Sequence, residues 1–369
     1  MAFRSTYFSI ILNGVQYNKA QIVERRWVAD LSFSNPKETD WIDRLQAFLL
    51  DWISEEETIK VQTSGSTGTP KQIMLSKERM LNSAFMTGKY FDFKSGQKAL
   101  LCLPCDYIAG KMMVVRALAW GLDLQLVPPS GNPMETINEA IDFAAMVPMQ
   151  VQNVLEKTPK KFQLIRQLII GGGKVNDALL RQLQNIPTAC FATYGMTETI
   201  THVAIKVLNG PKKTNHFEAL NLIEFSLDNR NCLVIDAPKL NPEKVVTNDI
   251  VALRSPQVFE WLGRFDNVIN TGGVKVFPER IEEKIGSLLS KRFFITSLPD
   301  KKLENKVVLI VEDSPWKTEK VNALKAGLKP ILSKFEYPKE IHFLATFKET
   351  PTKKIQRNRT KKNLEKFNL

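Results

Sequence analysis

The sequence predicts an α/β protein: a large N-terminal α/β sheet domain with a β-rich subdomain, then a small mobile C-terminal α+β domain. Three observations predict it. From about residue 98 to 193, short apolar runs ending in Pro or Gly alternate with stretches of helical spacing. That is the pattern of a parallel or mixed sheet with crossovers. Residues 201–262 then change to short β-rich segments broken by Asn, Asp and Pro. After "WLGRFDN" (261–267) strands and helices mix again for roughly 100 residues, enough for a domain of their own. The boundary falls near Arg264–Asp266 and gives two units, 1–264 and 265–369.

Each element has its own signal. "NG" at 13–14 reads as a hairpin turn. The apolar run before it is short and no small-residue cleavage site follows, so a cytoplasmic protein is expected. "TDWIDRLQAFLLDWI" (39–53) is an amphipathic helix behind a Thr39 cap. "ALLCLP" (99–104), "LQLVPP" (124–129), "LIIGGG" (168–173) and "TACFATYG" (188–195) are compact strands. Helices are expected between them at 108–120, 134–146 and 175–185. Ligands on such sheets sit beyond the carboxyl ends of the strands. In the second unit we expect a strand at "VKVFP", a helix from Pro278, strands at 293–298 and 306–312, a helix at 317–333, and a strand at "IHFLATF".

Composition narrows the function. The chain is 43% hydrophobic and 24% charged, with no repeat and no apolar run long enough to span a bilayer. Its 51 Lys and Arg exceed 39 Asp and Glu, for a net charge of +12. Such a balance suits nucleic acid, an acidic membrane surface or anionic small molecules. Seven of the last 17 residues are basic, which alone describes a solvated tail. Four cysteines are too few for a disulfide framework. Cys102 and Cys105 form "CLPC", but the three histidines are not spaced for a metal, so reduced, buried thiols are expected.

The most informative stretch is "VQTSGSTGTPKQIML" (61–75). Glycines let backbone N–H groups approach a ligand, Ser and Thr add hydroxyl donors, and Lys71 adds charge. Together they suit a phosphate chain. A Walker A loop is excluded, because Lys71 follows Pro70 and precedes Gln72. On composition alone, a Gly/Ser turn between two strands fits equally well.

Residue order decides between them. "TSGSTGTPK" (63–71) resembles the signature loop of the acyl-adenylate-forming superfamily: acyl-CoA synthetases, luciferases and peptide-synthetase adenylation domains. In the family's order follow "YGMTET" (194–199), "TNDIV" (247–251), "GRFDNVINTGGVKVFPERIE" (263–282) and "PTKKIQR" (351–357). The resemblance runs from about residue 60 to 360. It implies an ATP-dependent acid–thiol ligase that joins a carboxylate to AMP, releases pyrophosphate and passes the acyl group to CoA. ATP, Mg²⁺ and CoA are the implied cofactor and co-substrates.

The same resemblance assigns residues. Ser64, Gly65, Ser66, Thr67, Gly68 and Lys71 would hold the triphosphate. Thr197 would bind the α-phosphate and Glu198 the Mg²⁺ ion, a hard cation that favours carboxylate and phosphate oxygens. Gly171, Gly172 and Gly173 would admit the adenine, with the ring face of Tyr194, next to Gly195, against the base. Asp249 would take the ribose hydroxyls, with Arg264 nearby. Lys354 matches the lysine that bridges carboxylate and α-phosphate, while Lys353 stands in place of the family's glycine. The basic tail is then explained without nucleic acid. Asp266 would be a hinge, and rotation there would replace Lys354 with Gly272, Gly273 and Lys275 along the path of the CoA arm.

The acid is suggested by "LPCDYIAGKMMVVRALAWG" (103–121), which resembles a segment of the o-succinylbenzoate–CoA ligases of menaquinone synthesis. Tyr107 stands for the usual His and Ala109 for the usual Ser. Arg116 keeps the place of an arginine associated with the succinylbenzoate site. A dicarboxylate leaves one anionic group unreacted, and a charged partner should hold it. A helix-surface arginine is the alternative reading. The stretch of about 60 residues ahead of the phosphate loop fits a compact ligase for one small acid. Other readings are a different carboxylate–CoA ligase, an enzyme charging a carrier protein, or an inactive binding protein.

Overall fold

The computed structural model describes residues 8–29, 31, 39–62, 72–349 and 355–365. Strands β1 (Ser9–Leu12) and β2 (Val15–Asn18) are joined by Asn13 and Gly14 at φ 48° and 81°. Two positive φ values in a two-residue loop are what Asn-Gly favours in a hairpin. The Gly14 N–H donates to Asp123 Oδ1 and the Leu126 N–H to Asn13 Oδ1, both at 2.8 Å, so the turn is tied to the main sheet. Helices α1 (Lys19–Val23) and α2 (Arg26–Ala29) precede α3 (Asp40–Ile53), which buries Leu45, Phe48, Leu49 and Trp52. Thr39 does not cap α3 as expected. It has helical φ and ψ (−80°, −21°) and its side chain makes no capping bond; Asp40 and Asp43 in the first turn face the helix dipole instead.

The central part runs β3 (Thr58–Gln62), β4 (Gln72–Ser76), α4 (Lys77–Phe91), β5 (Lys98–Leu101), α5 (Ile108–Trp120), β6 (Asp123–Leu126), β7 (Ile141–Met146), α6 (Pro148–Lys157), β8 (Ile165–Ile170), α7 (Asp177–Leu183) and β9 (Ala189–Gly195). Strands β9, β8, β7, β5, β6 and β1 lie side by side in parallel. They are covered on both faces, which is why they read as apolar runs. The helix expected over 134–146 does not form. Residues 141–146 are β7, paired between β5 and β8. A short run such as "IDFAAM" carries no period that separates a buried strand from a helix, and its neighbours in the sheet decide it.

Strands β10 (His202–Val207), β11 (Phe217–Ala219), β12 (Glu224–Leu227), β13 (Cys232–Asp236), β14 (Val245–Ser255) and β15 (Val258–Arg264) add to the β9 edge in antiparallel fashion. The result is one 13-stranded sheet, β12-β13-β14-β15-β11-β10-β9-β8-β7-β5-β6-β1-β2. The parallel half meets the antiparallel half at β9, and both family-like segments "YGMTET" and "GGG" lie at that seam.

A second apolar core begins at Ile269. It is built by β16 (Ile269–Thr271), β17 (Val274–Val276), α8 (Pro278–Ile285), β18 (Phe293–Asp300), β19 (Glu304–Glu312), α9 (Thr318–Leu328), β20 (Glu340–Leu344) and α10 (Arg357–Glu365). Ile281, Ile285, Ile295, Leu309, Val311 and Leu328 form a cluster distinct from the one under the large sheet. Helix α9 ends earlier than expected, because Pro330 has no N–H with which to continue the ladder. All four cysteines are free and buried, and burial pushes Cys102, Cys105 and Cys190 up to about 12. Among the described residues, no three His, Cys, Asp or Glu gather as a metal site and no helix is long and apolar enough to cross a membrane.

Candidate active site

Ser64, Gly65, Ser66, Thr67, Gly68, Lys71 and the Lys353–Lys354 pair lie outside the described residues, but their flanks do not. Gln62 of β3 stands opposite Gln72 of β4, so the chain enters and leaves 63–71 at neighbouring points. Glu349 bridges Ile355, and the Gln356 N–H donates to the Lys348 carbonyl at 2.8 Å. The described residues on either side of 350–354 therefore pair with each other.

At the carboxyl end of β8, the Gly171 N–H donates to the Met146 carbonyl at 3.1 Å. A Cβ on Gly171 would sit 2.7 Å from Thr193 Oγ1, and Gly172 has φ 76°. These glycines keep the strand end open and close to its neighbours. One strand over, Tyr194, the penultimate residue of β9, donates its hydroxyl to Asp249 Oδ2 at 2.7 Å. The Trp261 indole N–H donates to Asp249 Oδ1 at 3.1 Å, and Arg264, opposite Asp249 in the β14–β15 register, lies 3.6 Å from that oxygen. Asp249 is 6% exposed and is held from three sides, by Tyr194, Trp261 and Arg264. Burial, then the charge of Asp249, holds the Tyr194 phenol well above its ordinary value, so it remains a donor. Its ring packs against Phe217 and Phe259, with centroids 5.8 and 5.0 Å away. The expected ring face for a base is thus partly committed to the core. Trp261 escaped sequence reasoning, because only the β14–β15 pairing places it on Asp249.

Between β9 and β10 the chain makes a tight turn over Thr197–Thr199. Gly195 is required there: a Cβ would collide with the Thr201 carbonyl and sit 2.5 Å from His202 Cα. Glu198 is exposed and Thr197 half-buried. Ile200 then adopts φ 65° and ψ −65°. A β-branched residue there is strained by about 1–3 kcal/mol. One exposed carboxylate suits Mg²⁺, which binds through one or two carboxylates together with substrate phosphates rather than in an all-protein cage.

The acid-binding candidates are not brought together. Tyr107 precedes α5 and is 41% exposed. Arg116 lies nine residues on, about 13 Å along the helix at 1.5 Å per residue, and is 2% exposed. It is not a helix-surface arginine. One terminal nitrogen donates to Met113 Sδ at 3.4 Å, its Nε has no partner, and no carboxylate pairs with it among the described residues. Burial lowers its pKa to about 10. Beside it His202, 5% exposed, lies 3.3 Å from Thr87 Oγ1 through Nε2. Burial, then the Arg116 charge, lowers the His202 pKa well below its ordinary value, so the ring is neutral. Neither His202 nor Thr87 carries a sequence motif.

Asp266 sits in a short turn after β15, exposed, with Asn248 Nδ2 at 3.4 Å and Arg264 at 3.8 Å. Gly272 and Gly273, at φ 56° and 79°, form the turn between β16 and β17, and Lys275 is exposed beside it. Lys174, just past Gly171–Gly173, donates to the Glu279 carbonyl on α8 at 3.2 Å. The strand ends therefore touch the second core directly.

Known proteins resemble this chain in sequence and fold. The AMP-binding enzyme family matches residues 24–260, which include the stem of the loop, the glycines, the Thr197–Glu198 turn and Asp249. A Mycobacterium tuberculosis protein named probable 2-succinylbenzoate–CoA ligase is 26% identical over 330 residues, covering 83% of this chain and 84% of its own. A Dyadobacter fermentans protein described as acyl-CoA synthetase (AMP-forming)/AMP-acid ligase II-like is 35% identical; the match covers 91% of this chain and 97% of that one, with a TM-score of 0.60. The o-succinylbenzoate coenzyme A synthetase of Bacillus subtilis, solved with ATP and magnesium, shares the fold at 18% identity and TM-score 0.67, over 82% and 69% of the two chains. With a match across most of the large sheet and its strand-end residues, the chain belongs to the AMP-binding enzyme family.

Proposed function

We propose that the protein is an ATP-dependent acid–CoA ligase whose acid is 2-succinylbenzoate. In the first step a carboxylate oxygen attacks the α-phosphorus, an O–P bond forms, and pyrophosphate leaves. In the second the CoA sulfur attacks the acyl carbon, a C–S bond forms, AMP leaves with the C–O electrons, and the thiol proton passes to water. Two anions must meet in the first step, so stabilising charge is the main task. Asp249, preset by Tyr194, Trp261 and Arg264, offers acceptors to the ribose. Glu198 would hold Mg²⁺, which shields the phosphates when bound. Ser64, Ser66, Thr67, Lys71 and Lys354 are assigned to the phosphates and the reacting carboxylate by their place in the motifs. We further propose division at residues 264/265, with Asp266 as hinge, and Gly272, Gly273 and Lys275 along the path of the CoA arm.

The observation that carries the choice of acid is Arg116: a buried cation with no carboxylate paired to it among the described residues. Burying a charge unpaired is costly, and a ligand that brings its own second carboxylate removes the cost. The names of the M. tuberculosis and B. subtilis relatives support the same acid. The test is a substrate panel with ATP and CoA. We expect 2-succinylbenzoate to give the CoA thioester, AMP and pyrophosphate faster than any monocarboxylate. Faster turnover of benzoate or a medium-chain fatty acid would remove the specific assignment.

A further inference from the structure

At the centre of the strained turn at Ile200 is the side chain of Thr199. Thr201 N–H donates to the Thr199 carbonyl at 2.7 Å, which closes a three-residue turn around Ile200. Strain of this kind persists only where the surroundings over-determine it. Here the surroundings include Thr199, a fully buried residue. Its Oγ1 accepts from the Met196 N–H at 3.0 Å and lies 2.8 Å from the Thr201 carbonyl and 3.0 Å from the Met196 carbonyl. The single hydroxyl proton serves one of these carbonyls at a time. Two further ties fix the frame: Ser83 and Thr201 share a hydrogen bond of 2.7 Å, and Asn241 Nδ2 donates to the Glu198 carbonyl at 3.2 Å. Every bond in the knot grips backbone or a flanking residue. Among the described residues, the side chains of Thr197 and Glu198 make no hydrogen bond within it.

We propose that Thr199 is a positioning residue: its hydroxyl staples Met196 to Thr201, so that the Thr197 hydroxyl and the Glu198 carboxylate are set before nucleotide arrives. The proposal rests on the assignment of Thr197 and Glu198 to the nucleotide. Preset groups cost no reorganisation at the moment of reaction, which is where they accelerate it. A loop without the staple would relax the Ile200 turn, and both side chains would then have to be ordered in each cycle.

The test compares Thr199→Val, which keeps the shape and loses the hydroxyl, with Thr199→Ser, which keeps the hydroxyl. ATP–pyrophosphate exchange reads adenylation, and thioester formation from supplied acyl-adenylate reads the second step. Thr199→Val should lose roughly 10- to 100-fold in the exchange kcat, the scale of one buried bond left unmade. ATP affinity, measured by calorimetry, should change by less than about threefold, because the ribose and triphosphate contacts remain. The second step should be spared, and Thr199→Ser should recover most of the exchange rate. A purely structural role would lower both steps together with the folded fraction. Normal exchange in the valine variant, or equal losses in both steps, overturns the proposal. Should Thr199→Val not fold, Asn241→Ala releases the Glu198 carbonyl from a more accessible position; it should slow exchange alone, and a normal rate there overturns the preset turn. Glu198→Gln separates the two levels. Normal exchange in that variant removes the underlying assignment, whereas a slow Glu198→Gln beside a normal Thr199→Val removes only the role of Thr199.

Discussion

Two arginines, both largely out of water, are treated in opposite ways. Arg357 in the second core is paired twice with Glu282, at 2.7 and 2.8 Å, donates to the Ile295 carbonyl at 3.2 Å and lies 3.7 Å from Glu279. Burial would lower its pKa, but Glu282 and Glu279 outweigh burial and raise it. For Glu282 burial outweighs Arg357 and raises the carboxyl; the geometry decides between these opposed directions, because two short parallel bonds fit a charged pair. Arg116 under the large sheet has a thioether for company and, among the described residues, no acid. The first arginine is finished by the fold and fixes the segment that follows Lys354. The second is not completed in this way among the described residues. The completed charge belongs to the structure, and the incomplete one is what we propose marks the acid site.

That contrast can be broken by removing each cation. The largest effect belongs to Arg357→Met, which leaves Glu282 without its partner. Breaking a buried pair costs about 3–5 kcal/mol, so denaturation should show a marked loss, concentrated in the second core. An unchanged midpoint would show that the pair is not structural. Arg116→Met has the opposite sign: losing an unpaired buried charge should leave stability unchanged or raise it by about 1–4 kcal/mol. A loss as large as that of Arg357→Met would mean that Arg116 already has a partner.

The smallest effect concerns His202. Its folded pKa is depressed, so as pH falls below 6.5 the unfolded chain gains a proton that the folded one does not. Its contribution to stability is complete above that pH and declines as pH falls, by at most about 1.4 kcal/mol per unit. His202→Gln should remove this slope, read as the difference between the two proteins from pH 7 to 5.5. Identical slopes would place the ring in a wetter environment.

Much of this was legible in the chain. Asn13-Gly14 gave its hairpin and Ile108–Trp120 its helix, because the turn residues and helical spacing are local signals. The ordered motifs named Asp249, Thr197 and Glu198 before their surroundings were known. What the chain hid is non-local. Trp261 reaches Asp249 only through a strand register, and His202 meets Thr87 and Arg116 only when β10 lies against α4 and α5. Residues 141–146 hid for the opposite reason, since a fully buried strand has no period to read. Nor does spacing say whether Arg116 faces water or the interior; that follows from the packing of α5 under the sheet.

The central claim is that Arg116 waits for the second carboxylate of the substrate. The most direct measurement compares 2-succinylbenzoate with 4-oxo-4-phenylbutanoate, identical but for the ring carboxylate, in the native protein and in Arg116→Ala. An ionic hydrogen bond contributes roughly 1.5–3 kcal/mol, so the native protein should prefer the dicarboxylate in kcat/KM by about 10- to 150-fold. In Arg116→Ala that preference should collapse toward one, with the KM for ATP nearly unmoved. A native protein that does not discriminate, or a variant that still does, would contradict the account.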